Sequence, residues 1–220
     1  MATVTVENNQ SIVREPRWPA ILAILAVGLL YLALPEPLTP GPNWLLLAIL
    51  AALELPTMIS HRMGLEKVNR TLGVILSALI MLALIWSLAL LIAGLPSKRE
   101  PPTALLRSAA ALWICNVLVF ATWYWRLDAG GPSQRDLSTS HTEGAFLFPQ
   151  MMPQVGSKRT KTGWKPGFVD YLFLAFNTST AFSPTDVPVL SRWAKGLMMV
   201  QSLISLSTIA VLAARAINIL

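Results

Sequence analysis

Residues 72–95, LGVILSALIMLALIWSLALLIAGL, run for 24 positions without one charged side chain. As a helix this stretch is about 36 Å long, more than the roughly 30 Å of a bilayer's hydrocarbon core. Such a segment needs either a large protein interior or lipid around it. The chain has 220 residues, 54% hydrophobic and 13% charged, against about 25% charged in soluble domains. Its mean hydropathy is +0.57. A chain this apolar has too little polar surface to cover itself in water, so the fold class is all-α, a polytopic transmembrane helical protein.

Five other apolar segments and a polar tail complete the pattern. Residues 1–17 are polar and read as a tail. Trp18 to Leu34 can span; its long polar lead and the lack of a small-x-small cleavage site mark it as an uncleaved first helix. EPLTPGPN at 36–43 breaks it, and Trp44 opens a second run to Ser60. Trp18 and Trp44 suit the membrane interface. After the basic stretch 61–70 and the run at 72–95, PSKREPP makes a turn and Thr103 to Trp125 forms a fourth run. That run closes with WYWRLDAGGP, whose glycines and proline stop a helix. Residues 133–170 form the one long loop, in which FLFPQMM at 146–152 is expected on the membrane surface. Gly167 to Phe182 is a short apolar piece, and Gly196 to Leu220 ends the chain. The expected division is a tail at 1–17, a four-helix region at 18–125, a basic loop at 126–166, and a short helix plus last helix at 167–220. The expectation is five full spans plus a short re-entrant or thin sixth segment.

The net charge of +6 is spread over loops between apolar runs, which fits anionic lipid rather than nucleic acid. With six crossings and the N-terminus inside, 12 of the 17 Lys and Arg residues fall inside. If 167–182 instead dips in and returns, Arg192 and Lys195 join them and the C-terminus exits outside. The positive-inside rule therefore favours a cytoplasmic N-terminus and slightly favours the dip.

FNTSTAFSPTD, residues 176–186, places many polar side chains at membrane depth. Two readings stand: a short helix whose hydroxyls bond its own backbone and its neighbours, or a half-helix whose end lines a watery path. On a helix, Tyr171, Phe173, Phe176 and Thr180 are expected on one side, with Asn177 and Ser179 elsewhere. In the last helix Gln201, Ser205, Thr208 and Arg215 recur at about 3.5 residues, a stripe for packing or for lining a path. Glu54, two residues before Pro56, is a carboxylate inside a span, expensive there and a functional suspect. It can be protonated, paired with a cation, or bonded to backbone freed by the proline, and Arg215 is a conceivable partner. Arg107 is near enough to its helix start to snorkel. Asn116 is expected to bond across helices, and Cys115 to be a small buried residue. His61 and His141 stand apart, with no metal spacing and no nucleophile–base arrangement, so no enzyme and no cofactor are expected.

YLFLAFNTSTAFSPTDVP followed by a long apolar helix resembles the pore helix, filter and inner helix of potassium-type pore-loop channels. Aligning Asp186 with the aspartate after TVGYG puts Ala181, Phe182, Ser183, Pro184 and Thr185 where the filter would stand. The likeness covers about 50 residues. The filter glycines are missing, Pro184 is locked near φ −65°, and a conventional carbonyl filter cannot form. In those channels the pore helix enters from outside, whereas the charge pattern puts 133–170 inside. NVLVFATWYWRLDAGGP, FLFPQMM and GFVDYLFLAFNTSTAFSPTD also look like a family of uncharacterised bacterial membrane proteins. That likeness implies a bacterial inner (plasma) membrane.

The leading expectation is a pore-loop-like ion conduit without a conventional potassium filter. Asn177, Thr178, Thr180, Ser183, Thr185 and Asp186 would form the constriction, and Gln201, Ser205 and Thr208 the path. Implied partners are bilayer lipid, monovalent ions and further copies of the chain. The alternative is a non-conducting membrane scaffold, or a partner- or lipid-binding protein, in which the same polar groups pack helices.

Overall fold

The computed structural model describes residues 15–94, 101–138, 144–152, 164–180 and 186–217. They form seven α-helices: α1 (Trp18–Leu32), α2 (Asn43–Arg62), α3 (Glu66–Gly94), α4 (Pro102–Leu127), α5 (Pro132–Leu137), α6 (Phe168–Thr180) and α7 (Arg192–Ile217). α2, α3, α4 and α7 are long and apolar enough to cross a membrane. α1 is shorter, 15 residues or about 22 Å. Leu22, Leu29, Leu82, Trp86, Leu203 and Leu206 point outward and are exposed, an arrangement suited to lipid.

The helix ends follow local chemistry. Proline opens α1 and α4 within the first turn, where the missing N–H costs nothing. Asn43 donates from Nδ2 to the Leu34 carbonyl at 2.9 Å, tying the turn between α1 and α2. After α2 the chain turns at Gly64 (φ +71), and the Leu65 N–H returns to the Ser60 carbonyl at 2.9 Å. α4 ends where Ala129, Gly130 and Gly131 all take positive φ. A Cβ at Gly131 would also press on the Arg126 carbonyl at 2.7 Å, so the GG of the helix-stop signal is a geometric need.

α4 is central, packing against α1, α3, α6 and α7, while α2 lies on α1 and α3. One end of the bundle gathers the starts of α1, α3, α6 and α7 with the finishes of α2 and α4. Glu15 meets Trp125 and Arg135 there, Glu66 meets Gln134, and the Trp125 and Phe168 rings meet edge to face at 5.8 Å. Phe146 touches the rings of Tyr124, Tyr171 and Trp193 at the same end.

α6 and α7 run parallel. Gln201 bonds the Ala175 carbonyl and Ser205 the Ser179 carbonyl, a constant offset of 26 residues. α6 descends for 13 residues, about 20 Å, to the level of Asn116 in mid-α4. By Pro188 and Leu190 the chain is back at its starting end, where Leu147 N–H bonds Pro188 O and Leu190 N–H bonds Ala145 O. The chain after α6 is therefore back at the end of the bundle where α6 began, and α7 leaves from that same end. Arg17, Arg62, Lys67, Arg70, Arg126, Arg135, Lys165, Arg192 and Lys195 all belong to this basic end, and Arg107 and Arg215 to the other.

Two local expectations are corrected. Phe146 and Phe148 do not lie on the membrane surface: both are buried, in an aromatic cluster with Tyr171, Trp164 and Trp193. Tyr171 does not share a face with Phe173, Phe176 and Thr180. It is buried while those three are exposed, since two helical positions lie about 200° apart.

Candidate functional site

The sequence-singled polar residues of α6 and α7 meet α4 in one buried junction. Gln201, fully buried, donates from Nε2 to the Ala175 carbonyl at 2.7 Å and to Ser179 Oγ at 2.8 Å. Its Oε1 accepts the Tyr124 hydroxyl. Asn116 Nδ2 donates to Ser179 Oγ and to the Gln201 carbonyl, each at 3.3 Å. Ser205 donates to the Ser179 carbonyl and accepts from Trp113 Nε1 at 3.0 Å. The last carbonyls of a helix have no intrahelical partner, and at membrane depth water is not at hand to supply one. The polar stripe of α7 meets part of that need.

The predicted residues divide accordingly. Thr178 is buried and bonds the Leu174 carbonyl at 2.8 Å. Thr208 is buried and bonds the Ile204 carbonyl at 2.7 Å. Both are the back-bonds that lower the cost of a hydroxyl in lipid. Thr180 is exposed and bonds the Phe176 carbonyl at 3.0 Å. Asn177 is half-buried and Asp186 exposed. Ser183, Thr185 and His141 lie outside the described residues. Cys115 is buried and Arg107 exposed. Glu54 lies in the half of α2 nearer the basic end and Arg215 falls near the finish of α7, toward the other end; the Arg215 side chain lies outside what the structure describes.

A second cluster, unmarked in the sequence, locks the basic end. Arg135, 1% exposed, donates from Nη1 to the Trp125 carbonyl at 2.8 Å and the Asp128 carbonyl at 2.9 Å. Its Nη2 pairs with Glu15 at 3.1 Å, and its guanidinium lies over the Tyr171 ring at 5.1 Å. Asp128 accepts the Tyr171 hydroxyl and the Ala145 N–H. Glu15 also accepts from Trp125 Nε1 at 2.6 Å. Arg17 pairs with Asp136 at 2.7 Å, and burial pulls its pKa below the ordinary value against the attraction of Asp136. Charged residues in a polar loop ordinarily read as solvated.

The third feature is a set of hollows at the same end. One of about 110 Å³ is lined by Glu54, Arg62, Asn69, Trp125 and Arg126. Another, about 280 Å³, is lined by Lys67, Asn69, Arg70 and Arg126. Glu54 is 7% exposed, and its Oε2 has no hydrogen-bond partner among the described residues. Asn69 donates to the Thr57 carbonyl at 2.7 Å, next to Pro56. Among the described residues no group of three or more His, Cys, Asp or Glu could hold a metal ion.

The helices, their outward apolar faces and the internally bonded polar junction define an all-α helical membrane protein. Comparisons with family models, with curated proteins and with solved structures find no match for this chain.

Proposed function

We propose that this chain is a non-conducting membrane protein, a scaffold whose basic end binds lipid or a partner. One observation carries this reading: Gln201, Ser205 and Thr208, the residues suited to line a path, are buried and bonded within the chain. A water-filled path needs polar groups free to exchange partners with water. The outward face of α7 carries Met199, Val200, Leu203 and Leu206 instead. The basic end faces the cytoplasm in this reading, by the positive-inside rule, and an inner membrane is the location that the resemblance to bacterial membrane proteins supports. The test is flux of a monovalent cation into liposomes holding the purified protein. The expected rate is that of protein-free liposomes; a rate that rises with protein content overturns the reading.

The conduit remains as a second reading because of one observation, the parallel run of α6 and α7 from a shared end. Several copies would then surround an axis bordered by the exposed Thr180. In that case Thr180→Val changes the flux, and in the first reading there is no flux to change.

A further inference from the structure

We propose that the hollow between Glu54 and Arg126 binds a phosphate joined to a primary amine, the headgroup chemistry of a phosphoethanolamine lipid. This rests on the binding-protein reading above and names the ligand class.

Three hollows adjoin at the basic end, of about 110, 140 and 280 Å³, and Asn69 lines all three. Arg126 lines the first and third. Its guanidinium stacks on the Trp125 ring at 5.5 Å. It also lies against Gly73 of α3, where any Cβ would collide with it. The arginine is thus held in position by its surroundings. Yet its Nε is buried with no acceptor among the described residues. Glu54 Oε2, buried in the wall of the same hollow, has no donor. The two side chains do not form an ion pair within 4 Å of each other.

A buried N–H of a cation without an acceptor and a buried carboxylate oxygen without a donor are each costly. A single ligand relieves both if it offers oxygen acceptors to Arg126 and an N–H cation to Glu54. The rest of the lining sharpens the choice. Arg62 lines the first hollow and Arg70 the third, and neither is ion-paired among the described residues. This excess of cations suits a phosphate, and the carboxylate suits an ammonium rather than a second anionic group. Ile21 and Met58 give the first hollow an apolar wall. Met58 is itself exposed on the outer surface, so an acyl chain attached to a headgroup in the hollow would have an apolar side chain to run along. A choline headgroup lacks N–H donors, and a glycerol headgroup lacks the positive charge.

The test uses the full-length protein purified in detergent, titrated separately with phosphatidylethanolamine, phosphatidylglycerol and phosphatidylcholine. Bound lipid is read by native mass spectrometry and by the shift in unfolding temperature. The expected result is at least tenfold tighter binding of phosphatidylethanolamine than of the other two, with Glu54→Gln removing that preference. Equal binding, tightest binding of phosphatidylglycerol, or an unaltered preference in Glu54→Gln would overturn the proposal. If that variant does not fold, the ranking on the unaltered protein decides alone. Free phosphoethanolamine forms a further arm: a shift from it at the same concentration identifies a soluble ligand, and a shift from lipid alone identifies the membrane as source. Cation flux in liposomes of the same lipid separates this proposal from the one it rests on. Flux with the preference intact overturns the non-conducting reading and keeps the site; absent flux with no preference overturns the site alone.

Discussion

The Ser205 hydroxyl donates to the main-chain carbonyl of Ser179, so a side chain of α7 closes the open end of α6. This relationship explains why FNTSTAFSPTD is polar at membrane depth. A 13-residue helix stops well short of the far surface and leaves carbonyls without intrahelical donors. Ser205 and Gln201 come from a parallel neighbour, and so meet α6 at one register along their shared length.

Gln201→Leu should therefore destabilise the fold. It removes the bonds to the Ala175 carbonyl, Ser179 Oγ and Tyr124. Bonds between membrane helices average about 0.6 kcal/mol each, and stranded buried partners add to that. A loss of about 1–3 kcal/mol is expected, measured by unfolding in mixed micelles. Thr208→Val, which removes a back-bond within its own helix, should cost clearly less.

Arg135→Met should be the most damaging single change at the basic end. It leaves the Trp125 and Asp128 carbonyls without this donor and Glu15 without its cation. Removing one member of a buried pair typically costs about 3–5 kcal/mol. Arg135→Lys keeps the charge and loses the planar fork, so it should fall between. Thermal unfolding of the three proteins gives the order.

Gly73→Ala should displace the Arg126 guanidinium, because the added Cβ falls on it. Overpacking of this kind costs about 1–3 kcal/mol. In an Arg126→Ala background the same change should be nearly harmless. A double-mutant cycle measures the coupling, and additive costs would show that the two residues do not touch.

Several of these features were legible in the sequence. The run at 72–95 foretold α3, which begins six residues earlier because the amphipathic start at Glu66 is helical but wet. The turn at 36–43 and the cross-helix bonding of Asn116 also followed from pattern. What could not be read was set by tertiary contact. Arg135 and Asp128 look solvated, and it is Tyr171, Glu15 and the return of 144–148 that close over them. Gly73 reads as a small residue in a span until Arg126 is found lying on it. The burial of Phe146 and Phe148 depends on pairing with residues 188–190, more than 35 positions away.

The central claim is that α6 enters and returns at one end of the bundle. In a Cys115→Ala background, single cysteines are placed at Leu137 before α6, at Leu190 after it, and at Thr103 at the start of α4. Leu137, Leu190 and Thr103 are all exposed. Each protein is labelled with an impermeant maleimide in intact cells and after lysis. The account predicts that Leu137→Cys and Leu190→Cys behave alike and Thr103→Cys behaves oppositely. Labelling of Leu137→Cys and Leu190→Cys from opposite sides would make α6 a full crossing and contradict the account.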